Sequence, residues 1–452
     1  METLDPRNLR LAVNTQTPLV RFRDGSWTPT TGGVVRMLHP LLRRWQEDGT
    51  VRSAEWVSMS GDDQTHRLKD DAGVELTLVG LSEAQKKGYA VVKERMWALL
   101  NSNPSTPVPF GEGGIPSEAW EAFDAYQIAS ADALLQASER MGGIDLLYIH
   151  DFQQIGVAEM WKGPRVPMVF HLHTPFPSVL PAGWAEHFVA RLRRYDAVIV
   201  STKRYADNLR AAGLDTAIHV VHPFIDPASY PTAAPGDAAK FRERFGIAES
   251  DRVILNVARM DPMKGQDRLI RAMPHVLEAV PGARLVLVGN GSFSSARKGG
   301  LGLDKGKQWR AQLEALAEEL GVAHRVTFTG HVDDEDLPAA YDACEIFSLP
   351  STREGFGLAA IEAWRHRKPV IVSDRAGVSE LVVDDVNGAA LDCGDTRAVA
   401  EAILRMLRDP AAAQGMGEVG LETSRAATLD VGGRALKQVF ASVLEARRFA
   451  IA

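Results

Sequence analysis

Two short stretches hold the side chains best suited to chemistry. In NVARMDPMKGQDRLI (256–270), Arg259 ends an apolar run and Lys264 lies just past a Pro-containing turn. Ligands of open α/β folds bind outside the carboxyl ends of strands, so two cations there, next to a helix start, suit a diphosphate. They could also stabilise a departing nucleoside diphosphate. In STREGFGLAAIEAWRHRKPVIVSDRAGVSELV (351–382), another apolar run has just ended. Gly355 and Gly357 permit close backbone approach, and a helix is expected from about Leu358. Amides exposed at a helix start favour phosphate oxygens. Glu354 precedes that helix and Glu362 lies within it, about two turns along, where carboxylates can accept hydrogen bonds from sugar or ribose hydroxyls.

Three further stretches speak less strongly. TTGGVVRMLHPLLRRW (30–45) places a glycine pair, including Gly33, after the first strand and before a helix, which again fits an anion. In IHDFQQ (149–154) and FHLHTPFP (170–177), Asp151 and His173 each follow a strand end. Asp151 could bind a hydroxyl of a sugar acceptor, and His173 could hydrogen-bond the transferred sugar. His171 would alternate with His173 if the strand persists. His150, Asp151, His171 and His173 could be imagined around a metal, but they lack the ligand spacing of zinc motifs, so no metal is expected.

The elements that must carry these residues are short apolar runs alternating with longer helical patterns. Candidate strands cover 9–13, 145–150, 166–173, 196–201 and 217–223, then 252–259, 284–289, 325–330, 345–350 and 368–373. They are continuous rather than alternating, as in a parallel sheet covered on both faces. Segments 265–280 and 309–321 carry helical periodicity, which makes the whole a doubly wound α/β chain. A boundary reads near 226–250, opened by the Pro-, Ala- and Gly-rich DPASYPTAAPGDAA. One domain is expected over 1–227 and a second over 237–429, with an amphipathic helix at about 430–452 that could pack back onto the first. The Gly-rich basic tract 291–308 reads as a loop, either a plain surface loop or a flap meeting a phosphorylated ligand.

A chain of 452 residues suits two domains, and 45% hydrophobic with 24% charged residues is ordinary for a globular protein. A formal charge of −7 gives no reason to expect nucleic acid. No run reaches the roughly 18 apolar residues of a membrane span, and METLDPRNLR lacks a signal-peptide core. The only cysteines, Cys344 and Cys393, cannot form a disulfide framework, which fits a cytoplasmic location.

Together, Arg259 and Lys264 followed by Glu354-Gly-Phe-Gly-Leu and Glu362 resemble the signature of retaining GT-B glycosyltransferases, especially glycosyltransferase family 4. The runs 280–291 and 377–388 are similar to that family as well. The likeness covers about 250–400. In the first half, the His150–Asp151 pair, LHTPFP (172–177) and the paired glycines resemble trehalose-6-phosphate synthase-like enzymes. The resemblance implies two Rossmann-like domains with parallel sheets facing each other across a cleft. It implies a hexosyl transfer from a UDP-, GDP- or ADP-sugar to a small hydroxylated acceptor, with retained anomeric configuration and no cofactor or metal.

The resemblance also implies roles. Arg259 and Lys264 would hold the donor diphosphate and Glu362 the ribose. Glu354 and the amides of Gly355, Phe356, Gly357 and Leu358 would meet the donor sugar, and Gly33 would approach the phosphates. His173 would lie by the reacting sugar and Asp151 by the acceptor. Such enzymes are proposed to react on one face, the leaving phosphate oxygen taking the acceptor proton. One position departs: the synthases carry an Arg just after the first strand, where this chain has Gln16. Arg21, Arg23 or the 297–310 segment could compensate, and a free sugar or polyol-like acceptor stays open. Also open are a lipid-linked or glycan acceptor, because Arg36, Arg43 and Arg44 give the early helix a basic face, transfer of a sugar mimic, a nucleotide-sugar epimerase, and a homo-oligomer.

Overall fold

The computed structural model of the chain describes residues 7–17, 19–21, 27–29, 33–70, 73–101, 110–111, 115–228, 230–290 and 302–451. They form two compact units, one of Met1–Pro223 with Leu429–Ala452, the other of Phe224–Thr428.

In the first unit the strands are β1 (Leu9–Asn14), β2 (Leu19–Arg21), β3 (Trp27–Pro29), β4 (Val51–Met59), β5 (His66–Lys69), β6 (Glu75–Val79), β7 (Leu146–His150), β8 (Met168–Leu172), β9 (Ala197–Val200) and β10 (Ala217–Val220). β2 and β3 pair with each other; the remaining eight form one sheet in the order β10-β9-β8-β7-β1-β4-β6-β5. All its pairs are parallel except β5 against β6. From β1 the chain winds outward through β4 and β6, then returns to β7 on the other side. The ends of β1 and β7 therefore flank a switch point, the usual ligand crevice of such sheets. β7, β8 and β9 are buried at every position, which is why they read as unbroken apolar runs.

The second unit has β11 (Arg252–Val257), β12 (Ala283–Val288), β13 (Val326–Gly330), β14 (Ile346–Leu349), β15 (Val370–Ser373) and β16 (Gly388–Leu391). They make one parallel sheet, β13-β12-β11-β14-β15-β16, with its switch point between β11 and β14. Successive side chains feed two separate cores. Ile254, Leu285, Leu287 and Ile371 pack under the helices Gln266–Ala279 and Thr396–Arg408. Val253, Leu255, Val286 and Val372 pack on the other face, with the helix Leu358–Arg365.

The final helix, Leu429–Ile451, belongs to the first unit. Phe440 meets Trp45 and Tyr148 edge-on, at 5.7 and 5.0 Å between ring centres. Lys437 pairs with Asp48 at 3.0 Å, and Arg447 forks onto Asp196 at 2.8 and 2.9 Å.

Several elements depart from the sequence reading. β2 to β6 and β16 were not among the expected strands. Within the tract read as a loop over 291–308, the helix Gly302–Glu319 begins at Gly302, tied to its neighbour by the Trp309 indole, which donates to Gln266 at 3.1 Å. Residues 291–301 of that tract, and Arg23, lie outside the described residues. The early helix Gly33–Glu47 does not offer lipid an apolar face: Met37, Leu38, Leu41, Leu42 and Trp45 are all buried in the core.

Candidate active site

At the switch point of the second unit, β11 runs into a turn built by local chemistry. The Asp261 carboxylate accepts from the Met263 amide at 2.9 Å and caps the single 3-10 turn Pro262–Lys264. Gly265 follows with φ +69°, and a Cβ there would lie 2.2 Å from the Pro350 carbonyl oxygen. No side chain fits, so this turn sits directly on the end of β14. Thr352 secures the junction from the other side, its amide donating to the Met263 carbonyl at 2.8 Å.

That seam brings Lys264 to Glu354. The ammonium donates to the Glu354 carboxylate in an ion pair whose two side chains keep less than a fifth of their exposure. Arg259 lies 3.7 Å from Asp261 and within the field of Glu354. Burial draws its guanidinium below its usual value, against the pull of those two carboxylates. The buried Gln266 amide holds the Arg259 carbonyl at 2.7 Å.

Beyond Glu354 the backbone hands over to a helix. The Glu354 carbonyl accepts from Gly377 at 3.2 Å, and the Phe356 carbonyl from Val378 at 2.8 Å. Gly357 has φ +107°, and a Cβ would sit 2.7 Å from Leu349. The helix Leu358–Arg365 starts immediately after, with Gly355, Gly357 and Leu358 partly exposed and Phe356 buried. Glu362 is one turn inside this helix, about two turns' length past Glu354, and it accepts from the buried Tyr341 hydroxyl at 2.6 Å. The second unit thus joins Arg259, Lys264 and Glu354 in one charged cluster. Glu362 stands one turn along, fixed by its own partner.

In the first unit, Asp151 ends β7 with φ +65° and ψ 163°. That region is essentially reserved for glycine, and holding another residue there costs about 1–3 kcal/mol. The carboxylate accepts from Thr174 Oγ1 at 2.9 Å and from the amides of Phe152 and Thr174 at 3.2 and 3.3 Å. Burial lifts its pKa to about 6 although these hydrogen bonds oppose the rise. His173, just past β8, shares a hydrogen bond with His150 Nδ1 at 2.9 Å and stacks on His171, ring centres 4.0 Å apart. Burial pulls its pKa down to about 3, so it is neutral. Asp151 and His173 therefore stand on neighbouring strand ends, with Thr174 bridging. Gln16 follows β1 at the same switch point, its carbonyl accepting from Met59 at 3.2 Å. Gly33 is exposed as the first residue of its helix, and the Thr30–Gly32 part of the expected turn lies outside the described residues.

Sequence reasoning passed over Asp261, Gln266 and Tyr341. Asp-Pro before Lys264 is a readable cap, but the other two act through partners 7 and 21 positions away.

Comparison with known proteins agrees with this layout. Residues 237–422 match the family model for "Glycosyl transferases group 1", and residues 63–229 match that for "Glycosyltransferase Family 4". A D-inositol 3-phosphate glycosyltransferase of Xylanimonas cellulosilytica is 29% identical over 82% of this chain and 93% of its own. A GDP-mannose-dependent alpha-(1-6)-phosphatidylinositol monomannoside mannosyltransferase of Mycolicibacterium smegmatis is 32% identical over 53% of this chain, which spans about three fifths (61%) of that relative. The solved alpha,alpha-trehalose 6-phosphate synthase of Burkholderia multivorans superposes with a TM-score of 0.78 at 17% identity, covering 98% of this chain and 99% of that one. With both halves matched by models of one kind on a GT-B fold, the chain belongs to glycosyltransferase family 4 and is a nucleotide-sugar-dependent hexosyltransferase.

Proposed function

We propose that the chain transfers a hexosyl group, with retention of configuration, from a nucleoside diphosphate sugar to a small hydroxylated acceptor such as a sugar or sugar phosphate. The observation that carries this reading is the Arg259–Lys264–Glu354 cluster at the switch point of the second unit. Arg259 and Lys264 bind the diphosphate and stabilise the charge that develops on it as the glycosidic bond breaks. The incoming phosphate takes over the ammonium from Glu354, which releases that carboxylate for hydroxyls of the donor sugar. The amides of Gly355 to Leu358 meet the same sugar, and Glu362 binds the ribose with the carboxylate that Tyr341 orients.

In the first unit Asp151 and Gln16 take the acceptor, His173 meets the reacting sugar, and Gly33 offers a helix start to phosphate. His173 is held neutral, so it serves as a hydrogen-bonding group and not as a cation. The departing phosphate oxygen takes the acceptor proton, and catalysis rests on position and on charge stabilisation. The donor base is uracil, guanine or adenine. The buried apolar face of the helix Gly33–Glu47 favours a small acceptor over a lipid-linked one.

The test offers UDP-, GDP- and ADP-hexoses with a panel of sugars, sugar phosphates, inositol and inositol phosphate. Acceptor-dependent release of nucleoside diphosphate with one pair is the expected result. Conversion of a nucleotide sugar without acceptor would instead make the chain an epimerase, and release with no pair from folded protein would overturn the reading.

A further inference from the structure

Three imidazoles gather where β7 and β8 end. His150 and His171 are cross-strand partners in register, and His173 comes two residues later. Each offers a ring nitrogen, and the three nitrogens lie within 4.8 Å of one another. Nothing in the proposed transfer uses His150 or His171.

Their hydrogen bonding is half complete. Tyr148 Oη lies 2.7 Å from His171 Nδ1, and His150 Nδ1 lies 2.9 Å from His173 Nε2. The Nε2 atoms of His150 and His171 are buried with no hydrogen-bond partner among the described residues. A buried polar atom left without a partner costs about 1–3 kcal/mol, so two side by side ask for a ligand. Histidine ligands of metal ions show the arrangement seen at His171: one ring nitrogen bonded to an oxygen, the other kept for the ion. The strands on which His150 and His171 stand are among the most deeply buried of the unit.

We propose that His150, His171 and His173 form a three-imidazole site for a borderline divalent ion such as Zn²⁺ or Co²⁺, and that filling it stops sugar transfer. Nitrogens around one zinc stand about 2.0–2.1 Å from it, so His173 must leave its hydrogen bond to His150 and turn out of its stack on His171. A His173 held by the ion no longer reaches the sugar. The inhibition rests on the role given to His173 above; the binding does not.

The test uses the full chain. Zn²⁺ is titrated against a chromogenic chelator, and Co²⁺ is followed by the visible absorption of a tetrahedral site. One ion per chain is expected. His171→Phe keeps a ring stacked on His173 but removes one ligand, and should bind at least roughly 100-fold more weakly. Tyr148→Phe, which frees His171 Nδ1, should weaken binding about tenfold. Should His171→Phe alone fold poorly because the Tyr148 hydroxyl loses its partner, the double variant Tyr148→Phe/His171→Phe removes both polar groups together. Zn²⁺ should inhibit transfer by the native chain, a chelator should restore it, and His171→Phe should transfer normally and resist Zn²⁺. Absence of a stoichiometric ion, or equal binding by His171→Phe, would overturn the site. The titration decides this even for a chain that transfers no sugar, and binding without inhibition would overturn the inhibitory half alone.

Discussion

The two switch points of this molecule solve different problems with different chemistry. In the second unit, charges of both signs meet where β11 and β14 end. In the first unit, the ends of β7 and β8 carry neutral imidazoles and a carboxyl lifted to about 6. A leaving diphosphate demands permanent positive charge, whereas sugar hydroxyls need only hydrogen-bond donors and acceptors, and no cation. The same sheet architecture positions both, so the side chains at the strand ends set the division of labour.

Lys264→Ala should break that division most severely, lowering kcat on the order of 100-fold or more, because it removes a stabiliser of developing charge. An unchanged kcat in steady-state assays would reject its role. Asp151→Gly should lower kcat/KM for the acceptor about tenfold or more by removing a charged hydrogen-bonding group. Its thermal midpoint should fall less than that of Asp151→Ala, because glycine accepts φ +65° freely and alanine does not. Glu362→Gln keeps a group for the Tyr341 hydroxyl but loses the charge, and should raise donor KM several-fold with kcat little changed, the pattern of lost uniform binding. Raising ionic strength should increase donor KM more than the KM of an uncharged acceptor, since screening acts on the cations that meet the diphosphate.

The smallest effect on transfer is expected far from either cluster. Asp251, at the opposite end of β11, receives Arg284 at 2.6 Å and Arg325 at 2.7 Å. Burial opposes its ionisation, but the hydrogen bonds from Arg284 and Ala248 and the two guanidinium charges outweigh this and hold its pKa below the usual carboxylate value. A depressed carboxyl contributes stability above its unfolded pKa and loses it as pH falls through the folded value. Asp251→Asn should therefore lower the unfolding midpoint at neutral pH, leave kcat alone, and flatten the loss of stability below about pH 4.

Much of this was legible in the amino acids. Parallel strands buried on both faces announce themselves as unbroken apolar runs, as LLYIH and MVFHL do, and Arg259, Lys264 and Glu354 were found because each closely follows such a run. β4 hid because Glu55 interrupts it. That buried carboxylate accepts from Arg140, 85 residues away, and from Thr77. No local pattern shows that a charge will be neutralised by so distant a partner. β16 hid for the opposite reason: Gly-Ala-Ala-Leu is too bland to register, although a Cβ on Gly388 would strike the Val370 carbonyl. The histidine pairing at β7 and β8 depends on strand register, which spacing along one strand cannot reveal.

The final helix has a consequence for how the molecule is made. The second unit is one uninterrupted stretch, Phe224–Thr428, and can fold as soon as it leaves the ribosome. The first unit cannot be finished until Leu429–Ala452 has been made, because that segment brings Phe440 against Tyr148 and Trp45. The nascent chain thus completes its second unit before its first. Until the last turns emerge, the strand bearing His150 stands without its cover.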